Sequence, residues 1–317
     1  MAKSTVTEFL RPMRPFIGPV VGVAAPLVRC ILRSAPSDRF KRLFWRWVGD
    51  PLSRGSWTFT ARMTYGFVLR GNTVEFLGRY VYYFGIWEPN LSTWITQQLS
   101  SGDTFVDIGA NIGYYALLAA RLVGPSGHVV AIEASPRTFR DLARNLSLND
   151  ARNVRSVNVA VSDREGELQL YEGPLGSSGK TSVLGQPGLA CVGTIGARPL
   201  AAILSDAEIA GTRLFKIDVE GAEWFVINGF APYLPQTRPD AEFVIEISPS
   251  RLELLQRSPD DILDLFGRAG FKAYRIANDY RSSSYVDRAP YQAPQRLAGR
   301  ILEDTDIIFS RLDQATL

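Results

Sequence analysis

Histidine is almost missing from this chain, and that removes several chemistries at the outset. His128 is the single histidine among 317 residues. A Ser-His-Asp triad or a multi-histidine zinc site would have to be built on that one ring. It opens an apolar run and reads as a strand-edge residue. Cysteine is nearly as scarce. Cys30 and Cys191 make neither a disulfide framework nor a metal cluster, and they fit a reducing cytoplasm. Long apolar runs are lacking too. Segment 16–32 (FIGPVVGVAAPLVRCIL) is broken by Pro19, Pro26 and Arg29, and it falls short of the roughly 20 residues a spanning helix needs. No small-residue cleavage site follows it, so a secretory signal is not expected. A net charge of +3 is too small to argue for a nucleic-acid partner.

What is present is a chain able to build a large core. With 46% hydrophobic and 21% charged residues, bulk disorder is not expected. Residues 1–50 carry nine Lys and Arg against three acids, so the basic character sits at the N-terminus and the remainder is acidic. Segment 37–47 (SDRFKRLFWRW) interleaves Arg and Lys with apolar residues. At helical spacing Phe40, Leu43, Phe44 and Trp47 share a face. That face is expected to pack onto the main domain; the alternative is an interfacial helix held by anionic lipid, giving a cytoplasmic protein with peripheral membrane contact.

Three regions emerge: a basic helical extension (1–55), a β-rich lead-in ending in a helix (56–100), and an α/β domain (101–317). The lead-in reads as strands through WTFTARM, YGFVLRG and VYYFGIW, then a helix after Pro89. From residue 103 buried strands alternate with helices: DTFVDIG (103–109), HVVAIEA (128–134), 154–161, RLFKIDV (213–219) and FVIEIS (243–248). Ser135 and Pro136 mark one helix start. FKAYRI (271–276) and DIIFS (306–310) are expected to pair and close the sheet. This alternation predicts a doubly wound α/β fold. Two inserts, 172–197 and 278–300, read as loops over a binding site. Lys180, Arg281, Tyr285 and Arg288 within them are candidates to touch an acceptor.

The strongest chemical signal is Val106-Asp107-Ile108-Gly109-Ala110-Asn111-Ile112-Gly113-Tyr114-Tyr115. A buried strand enters a glycine turn and then a helix, at the strand ends where ligands bind in open α/β sheets. Asn111 stands where a dinucleotide fingerprint has its middle glycine. That speaks against a nicotinamide dehydrogenase and fits a ligand with an amino-acid end and a nucleoside end. Asp107 would face the ammonium. Glu133, ending the next strand, would accept the ribose hydroxyls.

With FVDIGANIGYYALLA (105–119), AIEASPRTFRDLARNLSLN (131–149), NVAVSDREGEL (158–168), LFKIDVEGAEWFVINGF (214–230), FVIEIS and IWEP (86–89), the chain resembles the FkbM family of S-adenosylmethionine-dependent methyltransferases over roughly residues 80–275. The resemblance implies a class I methyltransferase (Rossmann-like) fold, with a mostly parallel sheet and an antiparallel closing strand. It implies S-adenosyl-L-methionine as cofactor and, as partner, a sugar, glycan or other small acceptor methylated at a hydroxyl. Ala134-Ser135-Pro136 departs from the family's more usual proline straight after the acid.

Carried onto this sequence, the resemblance makes Asp107, Gly109, Ala110, Asn111, Gly113 and Tyr114 the cofactor turn. Glu133 takes the ribose, Ser162 and Asp163 neighbour the adenine, and Glu88 closes over the methionine end. Asp218 and Glu220 lie beside the transferring methyl as candidate general bases, with an oxygen-ligated divalent ion as the alternative. Each has a plainer reading. Asp163 could shape the turn before Gly166, Glu88 could cap the helix after it, and Asp218 could hold the turn at Gly221. Glu220 and Glu223 could serve a helix dipole, Glu246 could cap its strand, and one of Tyr114 and Tyr115 could simply pack. A catalytically silent cofactor-binding module is the remaining functional alternative.

Overall fold

The computed structural model describes residues 14–53, 55–173, 181–186, 188–286 and 290–317. Lys180 and Arg288, expected near an acceptor, lie outside them. Fourteen described strands form three sheets. A hairpin comes first, β1 (Thr58–Arg62) against β2 (Val68–Asn72). The strands β3 (Thr104–Ile108), β4 (His128–Ile132) and β5 (Val154–Val157) then step outward in parallel. A small four-stranded sheet follows, from β6 (Ala160–Ser162), β7 (Gly166–Glu172), β8 (Thr181–Ser182) and β9 (Ala190–Pro199). The main sheet resumes with β10 (Thr212–Ile217), β11 (Glu242–Ile247), β12 (Lys272–Ile276), β13 (Gln295–Arg296) and β14 (Thr305–Ser310).

The main sheet runs β13-β12-β14-β11-β10-β3-β4-β5. Parallel pairing joins β11, β10, β3, β4 and β5, while β14 inserts antiparallel between β11 and β12. This is the class I methyltransferase arrangement, with the expected closing pair of 271–276 and 306–310. Strand order reverses between β3 and β10, which opens a crevice at their carboxyl ends. Both faces are covered. One core packs helix Tyr114–Val123 with the N-terminal helices, and the other gathers around helix Glu223–Phe230 and the Phe215–Phe243 stack.

Several local expectations change. Residues 81–84 of the VYYFGIW run belong to a helix, Phe76–Phe84, rather than a strand. Its C-terminal half is buried on successive residues, Tyr80 to Tyr83, so no helical stripe shows within that run. Gly85, at φ 79°, stops the helix. The single strand expected over 154–161 breaks at Asn158, whose side chain turns to bond the carbonyls of Glu133 and Ala134. Much of the 172–197 insert is not loop: β9 runs antiparallel to β7 along its length. Within 278–300 lie a short helix, Ser282–Val286, and β13.

Candidate active site

Three elements bring carboxylates into one cavity of about 750 Å³. Asp107 comes from β3, Glu88 from the turn before helix Pro89–Gln98, and Asp218 from the end of β10. Lys216, opposite Asp107 in the β3–β10 register, stands among them. Its Nζ lies 2.9 Å from Asp218 Oδ2 and 4.9 Å from the centre of the Tyr115 ring. Burial alone would depress this ammonium. Asp218, Asp107 and Glu88 together outweigh it and hold the ammonium above its usual range.

Asp107 is 1% exposed, and neither carboxylate oxygen has a hydrogen-bond partner among the described residues. A buried, unsatisfied carboxylate is costly. Desolvation raises its pKa to about 6 against the pull of Lys216. A ligand ammonium would relieve that cost, so the residue fits the amino-acid end of a sulfonium nucleoside.

The turn after β3 is tightly constrained. Gly109, Asn111 and Gly113 have φ of 85°, 50° and 92°. The N–H groups of Gly109 and Ala110 both bond the Ile132 carbonyl of β4, and the Asp218 N–H bonds the Ile108 carbonyl. Glu133 ends β4 and is 7% exposed. Its Oε2 accepts from the Asn111 N–H at 2.9 Å and its Oε1 from the Ser135 N–H at 2.8 Å. Burial still pushes it up to about 7. Glu133 and Asn111 line a second cavity of about 80 Å³, and Gly109, Asn111, Thr138, Asp218 and Glu220 border both cavities. The two spaces are therefore neighbours, with Asp107 bordering the larger and Glu133 the smaller.

Glu88 is 5% exposed at φ 40° and makes no side-chain cap to the helix behind it. Instead it accepts hydrogen bonds from Tyr115 and Tyr280, at 2.5 and 2.7 Å. Burial raises its pKa, with Lys216 opposing. Tyr114 is buried and shares a hydrogen bond with Ser92 at 3.1 Å; both tyrosines of the pair border the larger cavity. Glu220, at φ 53°, pairs with Arg251, which also holds Glu246 at 3.0 Å. Burial, then Asp218 and Asp306, push Glu246 up to about 10, and burial pushes the facing Asp306 up to about 8.

Other expected residues lie elsewhere. Ser162 and Asp163 line neither cavity, whereas Val159, Ala160 and Val161 line the smaller one. Asp163 packs against Gly229 instead. Tyr285 is buried and takes a hydrogen bond from the Glu88 N–H at 3.2 Å, behind the cavity rather than in it. Arg281 pairs with Asp279 on the surface. Glu223 is structural: its Oε1 accepts from the Val219 and Gly221 N–H groups, both at 3.1 Å. Sequence reasoning passed over Lys216, Tyr280, Arg251 and Asp306. For Lys216 the signal was available, because a lysine in the middle of the apolar run LFKIDV calls for partners.

Comparison with known proteins identifies the family. The family described as Methyltransferase FkbM domain matches residues 107–273. Among curated proteins, an arsenite methyltransferase of Halobacterium salinarum is 33% identical over 79 residues, covering 20% of each chain. The methyltransferase sdnD of Sordaria araneosa is 29% identical over 160 residues, covering 41% of this chain and 61% of that protein. The chain thus spans less than two thirds of these curated relatives. A solved FkbM methyltransferase from Methylobacillus flagellatus is 18% identical, with 67% of this chain and 44% of that one covered at a TM-score of 0.38. An S-adenosylmethionine-dependent O-methyltransferase from Thermotoga maritima is 14% identical, with 84% and 82% covered at 0.42.

Proposed function

The chain belongs to the FkbM methyltransferase family, and from that premise we propose that it transfers a methyl group from S-adenosylmethionine to a hydroxyl of a sugar, glycan or other small natural product. The observation that carries the cofactor half of this reading is the unsatisfied Asp107 carboxylate on one side of the glycine turn, with Glu133 on the other.

When bound, S-adenosylmethionine supplies an electrophilic methyl on a sulfonium. The chain's own residues do the rest. Asp107 and Glu88 receive positive charge at the methionine end, and Glu133 accepts ribose hydroxyls while keeping the turn fixed through Asn111. Asp218 borders both cavities, and among the described residues only its Oδ2 is engaged, by Lys216. Its other oxygen is free to take the proton of an acceptor hydroxyl. Lys216, held charged, orients Asp218 and does not itself act as the base. Each candidate has one oxygen held by a cation, Asp218 by Lys216 and Glu220 by Arg251, and of the two Asp218 lies beside the Asp107, Glu88 and Lys216 cluster, which favours it as the base. Orienting the acceptor supplies much of the remaining acceleration, up to roughly 7–11 kcal/mol in ideal cases.

The acceptor half rests on the cavity wall. Phe76, Trp87 and Tyr280 form an aromatic face beside Glu88, with Trp87 and Tyr280 centroids 5.6 Å apart. Aromatic faces next to a few convergent polar groups suit a hydroxylated ring. Calorimetric titration with the cofactor and its demethylated product, followed by methyl-labelled transfer to a panel of glycosides, polyols and amines, tests both halves. Binding with labelled glycoside or polyol is expected. Absence of cofactor binding would end the whole reading. Label on amines alone would end the hydroxyl part, and binding without transfer to any acceptor would leave a silent module. Asp218→Asn should lower turnover by about a hundredfold or more with cofactor affinity changed far less.

A further inference from the structure

The helix Asp38–Phe44, continued by a π-helical turn to Gly49, packs mainly through a face other than its apolar pattern, of which only Phe44 reaches the core. Lys41, Trp45 and Gly49, four residues apart, point inward. Trp45 is 5% exposed and meets Tyr83 and Phe84 at centroid distances of 5.4 and 5.0 Å. Gly49 admits the Trp45 ring so closely that a Cβ there would lie 2.3 Å from it. This inward anchoring turns Phe40, Leu43, Trp47 and Val48 outward, at 50%, 51%, 71% and 39% exposure. Leu27 of the preceding helix is also exposed, at 63%. Twelve large apolar side chains are exposed among the described residues, and four of them lie within residues 40–48. Scattered singly they would need no explanation, but clustered they mark an interaction surface.

Its charge selects the partner. Arg39, Arg42 and Arg46 are exposed between the apolar residues, with the Arg46 guanidinium 5.7 Å from the Trp47 ring centre. Residues 39–48 hold four basic side chains and no acid, and Asp38 pairs with Lys41 at 3.1 Å. We propose that this face docks on an anionic phospholipid surface, lying in its plane. Trp, Phe and Leu enter the boundary between headgroups and acyl chains, and the arginines meet anionic headgroups. No described helix is long and apolar enough to cross a membrane, so the contact is peripheral. A second copy fits less well, because twofold pairing would set the same three arginines against one another. The helix touches the segment Ser282–Val286, whose Tyr285 backs the Glu88 turn. The docking helix is thus joined by packing to the segment behind the proposed active site.

Flotation of the full chain with vesicles tests this, using phosphatidylcholine alone and phosphatidylcholine with about one third phosphatidylglycerol. The protein should float with the anionic vesicles and not the neutral ones, and added salt should release it. Phe40→Ser, Leu43→Ser and Trp47→Ser together, or Arg39→Gln, Arg42→Gln and Arg46→Gln together, should each weaken binding at least about tenfold. Thermal melting of the Phe40, Leu43 and Trp47 variant should change little, since these side chains are half or more exposed. Three results would overturn the proposal: wild type left unbound by anionic vesicles, equal binding to both vesicle types, or a wild-type dimer by light scattering that the Phe40, Leu43 and Trp47 variant turns into a monomer. The salt series on unmodified protein decides the matter even if a variant misfolds.

Discussion

A Cβ on Gly109 would stand 1.8 Å from the carbonyl oxygen of Asp218. The turn leaving β3 and the end of β10 are thus in backbone contact, and the proposed cofactor turn and proposed base form one rigid unit. The obstacle is a main-chain carbonyl that itself follows a strand, and Gly109 also sits at φ 85°. Gly109→Ala should therefore cost about 2–4 kcal/mol and abolish cofactor binding. At Gly113 the nearest atom is the flexible end of Leu142, 2.7 Å away. Gly113→Ala should cost less, about 1–2 kcal/mol, and keep weak binding. Urea unfolding with cofactor titration checks the order; equal behaviour of the two variants would contradict it.

Lys216 holds a cluster whose members would otherwise repel one another. Removing it leaves Glu88, Asp107 and Asp218 facing each other around one cavity, the first two of them buried. Lys216→Met should destabilise the protein by about 3–5 kcal/mol near pH 8. Without the ammonium the folded-state pKa values of Glu88 and Asp107 rise further above their unfolded values. Protonation below those values removes the repulsion, so much of the loss should disappear near pH 5.5. Urea unfolding at the two pH values is the measurement. An identical loss at both would mean that Lys216 acts through packing alone.

The central sheet was legible because its buried strands are continuous apolar runs closed by acids and glycines, as at Val106 to Gly109. The turn geometry and the Asp107–Glu133 division could be read the same way. What escaped was set by tertiary contacts. Tyr80 to Tyr83 resemble a strand because this run of the helix is buried on every side and carries no polar stripe. The face carrying Phe40 and Trp47 looked like core, but Trp45 found the better pocket against Tyr83. Ser162 and Asp163 follow the third-strand region as expected, yet the break at Asn158 sends Val159 to Val161 to the small cavity instead. Lys216 and Asp107 meet only because β10 lies beside β3, a pairing between segments more than a hundred residues apart.

Without ligand, the protein should lose stability as pH rises. Asp107, Glu133 and Asp306 have folded-state pKa values of about 6, 7 and 8, chiefly through burial, against unfolded values of 3.8, 4.5 and 3.8. A folded state with raised carboxyl pKa values binds more protons than the unfolded chain between the two values. The stabilisation is full below pH 4 for these groups and is lost through pH 6 to 8. Glu133 alone accounts for about 3 kcal/mol. The melting temperature should therefore fall between pH 5.5 and 8, and a cationic cofactor should offset the fall. A flat or rising profile for the free protein would contradict the buried-acid picture.

Glu133 offers a way to separate the fold from the binding. Its two oxygens accept from two different backbone N–H groups, Asn111 and Ser135. A glutamine has one carbonyl oxygen, so its NH₂ must face one of those donors and leave it unsatisfied, at about 1–3 kcal/mol. Near pH 8 this is opposed by relief of the buried charge, about 3 kcal/mol, so Glu133→Gln should be close to wild type in stability there. Its melting temperature should also depend less on pH. Ribose hydroxyls, however, would lose a charged acceptor, worth about ten- to a hundredfold in affinity. Calorimetric titration with the demethylated cofactor at pH 8 should show that drop in a protein that unfolds normally. Unchanged affinity would remove Glu133 from the binding site and leave it only the task of shaping the turn.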